Sequence, residues 1–278
     1  AARKKRTHQA AAEAQAIETK NLSASAQSAS ISEAKAAAVS ERHERGGYEQ
    51  TRLNAVYSFA TLVQGKGNRM AHAGALTVAD HTVQADSNDG SMYNPYFIYG
   101  STGLGKTHLV QAIGNRIYQH NPQAKIRYIH AESYVRDIMK AFRTGSFDEF
   151  KRYYHSLDLL IIDDVQFIAG KDRTMEEFFY LFNHLLDQKK QVVMTCDSLP
   201  SQINKMDDRL KSRFSWGLTV ELEPPELEMR VAILQKKAEA AHIHLEDKAA
   251  FFIATHIRSN VRELEGAFKR VAAHSRFK

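Results

Sequence analysis

The feature that most constrains this chain is a glycine-rich loop, GSTGLGKT, at residues 100–107. It matches the pattern GxxxxGK[ST], in which glycines let backbone N–H groups curl around phosphates and the lysine reaches the β- and γ-phosphates. The final hydroxyl holds Mg²⁺. An apolar segment precedes the loop and an amphipathic segment follows it, as this strand–loop–helix motif requires. We therefore expect a nucleoside triphosphate to bind through Gly100, Thr102, Gly103, Gly105, Lys106 and Thr107.

The order of the remaining segments predicts an α/β fold. Short apolar segments of strand length occur at residues 96–99, 126–130, 159–162, 191–195 and 218–222. Segments with apolar residues at helical spacing lie between them, as at 106–120 and 176–188. Strands that alternate with helices form a mostly parallel sheet covered on both faces. We thus predict a five-stranded parallel sheet between helices.

The region beyond the last predicted strand has a different pattern. Pro224 and Pro225 interrupt the alternation, and the residues that follow have helical spacing. We therefore predict an α/β nucleotide-binding subdomain at residues 48–222, followed by a small α-helical lid subdomain at residues 223–278. We expect this lid to be incomplete.

Residues 1–47 are rich in Ala, Ser, Gln and Glu and contain no aromatic side chain. Such a segment cannot bury enough apolar surface to offset the entropy of ordering it. We predict a flexible, disordered linker, while a role in solubility alone stays open. Because the sequence does not begin with Met, we expect it to be a fragment of a longer protein.

Composition excludes several classes of protein. The single cysteine, Cys196, cannot form an internal disulfide, which excludes a disulfide-stabilised secreted scaffold and favours the cytoplasm. No apolar run approaches the roughly 18 residues of a membrane span. The formal net charge of +6 permits a polyanionic partner without requiring one.

Acidic residues follow two of the predicted strands. Asp163 and Asp164 follow the strand at 159–162, at the carboxyl edge where ligands bind to parallel sheets. Asp163 is placed to hold Mg²⁺ and Asp164 to polarise the attacking water. Asp197, just past the strand at 191–195, could sense the γ-phosphate. Both positions also suit ordinary turns, so the residues alone leave this alternative open.

Three arginines are candidates for stabilising charge during phosphoryl transfer. Arg209 and Arg213 are four residues apart, and therefore share one helix face. Arg262 opens the last helical segment. Spacing alone favours a solvated basic face over a catalytic role for the first two.

Several longer strings carry a resemblance to a known family. They are YNP at 93–95, GLGKTHL at 103–109, FKRYY at 150–154, IDDVQF at 162–167, RLKSRFSWGL at 209–218 and RSNVRELEGA at 258–267. From about residue 54 to the C-terminus, the chain resembles the DnaA family of bacterial replication initiators, which are AAA+ P-loop ATPases. The resemblance implies ATP and Mg²⁺ as ligands and slow, regulatory ATP hydrolysis.

The resemblance also implies residue roles that spacing could not supply. Arg213 would be the arginine finger that reaches ATP on the next protomer, with Arg209 supporting that interface. Arg262 would contact ATP from the lid of its own protomer, and Asp197 would be the first sensor. The segment that holds the adenine would comprise Phe59, Leu62, Val63, Gly65 and Asn68.

Two helical patterns, at 133–143 and 147–155, occupy a stretch where a plain α/β unit needs one helix. They resemble the extra helix of initiator-type AAA+ proteins, and residues near it would line a channel for single-stranded DNA. The matching positions are Met139, Lys140, Lys171, Arg173 and Thr174. Without the resemblance, Lys171 and Arg173 are interpreted as loop charges.

The chain departs from the family pattern in two places. Ser101 stands where the family usually has a second glycine, and serine tolerates positive φ less well. A polar insert at residues 81–92 is predicted to be a surface loop. We expect the family's duplex-reading helix-turn-helix domain and its helicase-contacting N-terminal domain to lie outside this sequence.

The leading hypothesis is an ATP-dependent initiator of chromosomal replication, whose ATP-bound protomers form a filament on origin DNA and help to melt it. The implied partners are single-stranded and duplex origin DNA, further copies of the chain, the replicative helicase and acidic phospholipids. One alternative is a regulatory AAA+ paralogue that promotes ATP hydrolysis by the initiator. Another is a monomeric P-loop kinase that acts on a small metabolite.

Overall fold

The computed structural model describes residues 47–83 and 93–276. Nearly all of the predicted linker at residues 1–47 lies outside the described residues. Most of the predicted surface insert at residues 81–92 does so too.

The sheet has the predicted number of strands, and all of its pairings are parallel. The strands are β1 Tyr96–Tyr99, β2 Ile126–His130, β3 Leu159–Asp163, β4 Gln191–Cys196 and β5 Leu218–Glu221. Their spatial order is β2-β3-β4-β1-β5, with parallel register throughout. The predicted five-stranded parallel sheet is therefore confirmed. This order places β3, β4 and β1 side by side, so their carboxyl ends form one edge.

Helices connect the strands and cover both faces of the sheet. The α-helices beyond the helical turn at residues 47–51 are α1 Arg69–Val83, α2 Lys106–His120, α3 Ala131–Thr144, α4 Phe147–His155, α5 Asp172–Asp187, α6 Asp208–Phe214, α7 Leu227–Ala240, α8 Asp247–His256 and α9 Val261–Arg276. Short 3₁₀ helices occur at Lys66–Asn68, Val165–Ile168 and Pro200–Gln202. Both helices expected between β2 and β3 are present, as α3 and α4. Gly145 separates them in the left-handed conformation, with φ at 70°.

The strands bury side chains on both faces, because neighbouring residues of a strand point in opposite directions. In β1, Tyr96 and Ile98 pack on the side of α1 and α2. Phe97 packs on the opposite side, in the core to which α3, α5 and α6 contribute. A sheet covered in this way has continuous apolar strands rather than alternating ones, which is why the strand segments were recognisable in the sequence.

The helices after β5 enclose a separate apolar core. Met229, Ile233 and Leu234 of α7 meet Ile253 of α8 and Leu264 of α9 there. This arrangement agrees with a helical lid, although the boundaries at residues 48, 222 and 223 stay predictions. Within the described ranges, no helix is long and apolar enough to cross a lipid bilayer.

Candidate nucleotide-binding site

The strand order brings the predicted phosphate-site residues to one edge of the sheet. The glycine-rich loop begins at Gly100, directly after β1, while Asp163 is the last residue of β3. Asp197 follows the last residue of β4. Because β4 lies between β3 and β1, residues far apart in the sequence converge there. This is the carboxyl edge at which open parallel sheets bind ligands.

The glycines of the loop adopt backbone conformations that other residues avoid. Gly100, Gly103 and Gly105 have φ angles of 146°, 82° and 98°. A Cβ atom on Gly100 would lie 2.4 Å from the carbonyl oxygen of Leu222, so this position requires glycine. Ser101 is not among the described non-glycine residues with positive φ. The serine therefore introduces no backbone strain of that kind.

Lys106, the lysine of the glycine-rich loop, is buried and donates three hydrogen bonds through Nζ. Two of these go to the carbonyl oxygens of Gly100 and Ser101. The third goes to Oδ1 of Asp197 at 2.8 Å. The lysine is thus held across the mouth of the loop, where a phosphate group would compete for its protons.

Asp163 is fully buried, and hydroxyl groups satisfy its carboxylate. Thr107 and Tyr128 each donate to Oδ2 at 2.8 Å, and Thr195 donates to Oδ1. A buried carboxylate is costly unless such donors compensate it. The paired oxygens of Thr107 and Asp163 are hard ligands of the type that Mg²⁺ prefers. The predicted metal ligands are therefore adjacent and chemically suited to that ion.

Asp164 has a left-handed backbone conformation, with φ at 59° and ψ at 54°. Its N–H donates to the hydroxyl of Thr195 at 2.8 Å. Burial raises the pKa of its carboxyl group, and the negative charges of Asp163 and Asp197 raise that pKa further. A raised pKa suits a group that accepts a proton, because basicity increases with pKa.

A cavity of about 370 Å³ lies between the glycine-rich loop, residues 57–68 and the lid. Val63 and Asn68, expected near the adenine, both line it. The Asn68 amide donates to the carbonyl oxygen of Val63 at 2.8 Å, and Oδ1 accepts from the N–H of Gly65 at 2.9 Å. Leu62 also lines the cavity. Phe59 instead packs edge-on against His72.

The lid contacts the glycine-rich loop directly. The N–H groups of Val261 and Arg262, at the start of α9, donate to the carbonyl oxygen of Gly103 at 3.0 and 3.3 Å. Asn260 caps this helix, because its Oδ1 accepts from the N–H of Glu263 at 2.8 Å. Arg262 lines the cavity. The predicted lid arginine therefore lies on the same cavity as Lys106 and Asp164.

Arg209 and Arg213 lie on α6, away from this cavity, and both are exposed. Arg209 is paired with Asp207 at 2.9 Å and stacks over the ring of Phe179. Among the described residues, the guanidinium of Arg213 has no hydrogen-bond or ion-pair partner. Arg213 is therefore available to a second molecule, whereas Arg209 is held within its own chain.

A family model described as the bacterial DnaA ATPase domain matches residues 53–221, which is more than half of the chain. The chain belongs to the bacterial DnaA ATPase domain family. The chromosomal replication initiator protein DnaA of Laribacter hongkongensis is 68% identical over 233 residues, covering 84% of this chain and 47% of that relative. The chain thus spans about half the length of the curated relatives it matches.

Solved structures of DnaA proteins have the same fold. Domain III of the Thermotoga maritima replication initiation protein DnaA matches with a TM-score of 0.75 and 39% identity, over 81% of this chain and 91% of that one. A replication initiator DnaA bound to AMPPCP and single-stranded DNA matches with a TM-score of 0.71 and 36% identity, over 79% and 66%. The AAA+ fold expected from the resemblance is confirmed.

The DnaA-family positions expected to meet single-stranded DNA lie on α3 and at the start of α5. Met139 and Lys140 are exposed on α3, and the guanidinium of Arg173 lies 3.6 Å from the ring centre of Phe142 on the same helix. Lys171 is exposed and donates to the carbonyl oxygen of Phe167. The contact between Arg173 and Phe142 therefore joins the start of α5 to α3, the helix that carries Met139 and Lys140.

Thr174, expected at the same DnaA-family surface, differs from its neighbours. Its side chain is only 2% exposed. The reason is helical periodicity, because Thr174 lies beside Met175 on the buried side of α5. Its side chain therefore faces the protein rather than a ligand on the surface.

Sequence reasoning missed several residues of this DnaA-family site. Thr195 and Tyr128 hold Asp163, but threonine and tyrosine are also ordinary strand residues. His108 lines the cavity and contacts Ser58 and Thr61 through Nε2. The sequence signal for His108 as a cavity residue was its position directly after the GKT motif. Gln166 lies between Asp164 and Asp197, and nothing in the sequence pattern predicts that contact.

Proposed function

We propose that this chain is the ATP-binding and ATP-hydrolysing core of a bacterial replication initiator. ATP-bound copies would assemble on origin DNA and help to melt it, with slow hydrolysis ending the active state. The observation that carries this proposal is the convergence of Lys106, Asp164, Asp197 and Arg262 on one cavity. Membership of the DnaA ATPase family supports it.

ATP would bind with its phosphates on the glycine-rich loop and its base beside Leu62, Val63 and Asn68. Backbone N–H groups at the start of α2 would bind the phosphates, because the helix dipole favours negative charge there. Thr107 and Asp163 would hold Mg²⁺, which neutralises phosphate charge when bound. The fit rests on their adjacent oxygens and on the compensated burial of the carboxylate.

Hydrolysis would use acids from both neighbouring strands. Asp164 would accept a proton from the attacking water, and its raised pKa suits that role. Asp197 would respond to the γ-phosphate through Lys106, with which it now shares a hydrogen bond. Arg262 would contact ATP from the lid. Arg213 would act on the ATP of a neighbouring copy, because it is exposed and lies away from its own cavity.

Single-stranded DNA would bind along the surface formed by α3 and the start of α5. Lys140, Lys171 and Arg173 supply positive charge for phosphates, and Met139 is 44% exposed and apolar. This combination suits single-stranded DNA, because positive side chains contact its phosphates and an apolar side chain contacts its bases. Thr174 is buried, so we propose no side-chain contact from it.

The other expected partners rest on the family resemblance alone. They are the replicative helicase, duplex origin DNA, which the family reads with a separate domain, and acidic phospholipids. A protein with this role would act in the bacterial cytoplasm, where the chromosome lies.

The proposal is tested by fluorescence anisotropy of a labelled single-stranded oligonucleotide, titrated with this chain in ATP, in ADP and without nucleotide. Salt is held constant because phosphate contacts make affinity depend on it. We expect tight, cooperative binding in ATP alone, and its loss in Lys106→Met. Arg173→Ala should weaken binding and reduce the salt dependence by about one phosphate contact.

Equal binding in all three nucleotide states would contradict ATP-dependent assembly. Absence of binding in every state, with ATP still bound to the protein, would instead favour the regulatory paralogue. Arg270→Ala is a suitable control for the loss of one exposed positive charge, because Arg270 lies on the lid helix α9.

A further inference from the structure

Trp216 is the most exposed aromatic side chain among residues 47–83 and 93–276, at 74%. It lies just beyond α6, which ends at Phe214, a residue whose side chain is fully buried in the core. Within those ranges, no hydrogen bond or ring contact engages the indole. A single exposed aromatic residue is ordinary on a protein surface, so its setting decides what it indicates.

The backbone around Trp216 is held on both sides. The N–H of Trp216 donates to the carbonyl oxygen of Arg213 at 3.2 Å, so Trp216 follows Arg213 by one 3₁₀-type turn of about 6 Å. A Cβ atom on the next residue, Gly217, would lie 2.1 Å from the carbonyl oxygen of Pro95. This close approach fixes the chain as it enters β5. Trp216 therefore projects from a fixed position beside Arg213, the arginine that is available to a second molecule.

Another exposed aromatic residue lies at the nucleotide cavity. Phe167 is 43% exposed and lines that cavity together with Asp164 and Asp197. The N–H of Phe167 donates to the carbonyl oxygen of Asp164 at 3.1 Å, so these two residues are also one 3₁₀-type turn apart. The buried side chains of Val165 and Ile168 anchor this turn in the core. We call the surface formed by Asp164, Phe167 and Asp197 the cavity rim.

The cavity rim and the surface of Arg213 and Trp216 are complementary in charge and in spacing. The rim carries two carboxyl groups, and bound ATP would add negative charge there, whereas the Arg213 guanidinium has no anionic partner among the described residues. On each surface, the charged group and the aromatic ring are one helical turn apart. An arginine that entered the rim beside Asp164 would therefore bring Trp216 within reach of Phe167.

We propose that Trp216 anchors a contact between copies of this chain and packs against Phe167 at the cavity rim of the next copy. The two surfaces come from different parts of the chain, so the contact is head-to-tail and repeats from copy to copy. Tryptophan and arginine are the residue types that most often dominate the binding energy of an interface. This inference rests on the proposed ATP-dependent assembly and adds to it the side chains that stabilise it.

Intrinsic fluorescence reports on this contact directly, because Trp216 is the single tryptophan of the chain. The emission spectrum is recorded in ATP and in ADP, at equal protein concentration and without DNA. Sedimentation velocity of the same samples measures association. We expect emission to shift to shorter wavelength in ATP alone and in step with association, because the indole leaves water. Arg213→Ala, which retains Trp216, should lose both the association and the shift.

Trp216→Ala should weaken ATP-dependent association by about 10- to 100-fold, the loss expected when an interface anchor is truncated. Its ATP affinity and melting temperature should match those of the wild type, because the side chain is exposed and lies outside its own nucleotide cavity. Phe167→Ala should also weaken association, measured at an ATP concentration that saturates this variant. The matched control is Phe251→Ala, which removes an exposed aromatic side chain from α8 of the lid and should associate like the wild type.

An equimolar mixture of Trp216→Ala and Phe167→Ala tests the pairing of the two rings. In the mixture, Trp216 of one variant can meet Phe167 of the other, and this gives one intact contact per pair of chains. At a concentration where the wild type forms larger assemblies, we expect each variant alone to stay monomeric. The mixture should form dimers and no larger species, because both ends of such a dimer are defective.

Wild-type association by Trp216→Ala, or emission that association leaves unchanged, would overturn the inference while leaving the proposed function intact. Absence of dimers from the mixture would overturn the pairing with Phe167. Normal association of Phe167→Ala with weaker binding of single-stranded DNA would also overturn it, and would indicate that bases stack on this ring. If the wild-type chain did not associate in ATP, the proposed assembly would fail together with the inference, and Trp216→Ala would not differ from the wild type.

Discussion

Nζ of Lys106 lies 2.8 Å from Oδ1 of Asp197, and this ion pair joins the loop after β1 to the residue that follows β4. Lys106 is 6% exposed and Asp197 is 45% exposed. The lysine therefore already has an anionic partner at the place where a γ-phosphate would lie. A bound phosphate would compete with Asp197 for this lysine, which links the state of the nucleotide to β4.

Lys106→Met should abolish most ATP binding. The substitution removes the one buried amine of the loop, and hydrogen bonds to charged groups contribute about 1.5–3 kcal/mol. The expected loss of ATP affinity is therefore about 10- to 100-fold. Isothermal titration calorimetry with Mg–ATP measures it directly. Lys189→Met, at an exposed position, should bind ATP like the wild type, and unchanged binding in Lys106→Met would refute the phosphate assignment.

Asp197→Asn should bind ATP more tightly than the wild type and hydrolyse it more slowly. Removal of one negative charge near the γ-phosphate relieves a repulsion of about 1 kcal/mol, which corresponds to about fivefold in affinity. The gain should be larger for ATP than for ADP, because ADP lacks the γ-phosphate. Asp187→Asn, at an exposed position, controls for the change in net charge. An equal gain for both nucleotides would contradict the sensing role.

Thr195→Val should destabilise the protein despite the similar shape of the two side chains. The Thr195 hydroxyl donates to Oδ1 of Asp163 and accepts from the N–H of Asp164. Its loss leaves buried groups unsatisfied and should lower the free energy of unfolding by about 1–3 kcal/mol. Urea denaturation followed by circular dichroism measures this change.

Thr219→Val provides a matched control for that experiment. The hydroxyl of Thr219 in β5 is buried and has no hydrogen-bond partner among the described residues. The same substitution there should lower the free energy of unfolding by less than about 0.5 kcal/mol, or raise it, because no hydrogen bond is lost. Equal destabilisation by both substitutions would mean that the hydrogen bonds to Asp163 and Asp164 add nothing to the free energy of unfolding.

Arg213→Ala should leave ATP affinity nearly unchanged and abolish ATP-dependent assembly. The guanidinium is exposed on α6 and lies outside its own nucleotide cavity. Sedimentation velocity in ATP and in ADP separates the two effects, with Arg270→Ala as the control. Normal assembly of Arg213→Ala would show that the arginine-finger assignment is wrong.

Asn260→Ala should loosen the contact between lid and loop. The side chain caps α9, and loss of such a cap costs about 0.5–2 kcal/mol. The start of α9 also carries Arg262 and the two N–H groups that bind the Gly103 carbonyl, so ATP affinity should fall as well. Thermal unfolding and calorimetry measure both effects. Asn204→Ala, at an exposed position, should change neither, and equal effects from the two substitutions would exclude a specific role for the cap.

The local parts of this site could be recognised in the sequence because local spacing determines them. Gly100, Gly103 and Gly105 satisfy the backbone requirements of a phosphate loop at a fixed distance from Lys106 and Thr107. The apolar strands were recognisable because a sheet covered on both faces tolerates few polar residues. Such features need only neighbouring residues, so the strands, the loop and the two acids at the end of β3 were all predictable.

Thr174 shows what local reasoning cannot determine. Its position in the sequence matches a DNA-facing position, yet the face of α5 on which it lies is buried. Only the packing of α5 against the sheet decides which residues of the helix reach the surface.

What the sequence by itself determined was the set of elements and the phosphate loop, since hydrophobic periodicity and glycine backbone requirements are properties of short segments. The tertiary structure alone decided which of these segments meet. The order β3-β4-β1 brings Asp163, Thr195 and Lys106 together, and the lid places Arg262 against Gly103. The pairing of Gln166 with two carboxylates was likewise invisible in the sequence, because hydrogen bonds between distant residues depend on three-dimensional proximity that no local pattern encodes.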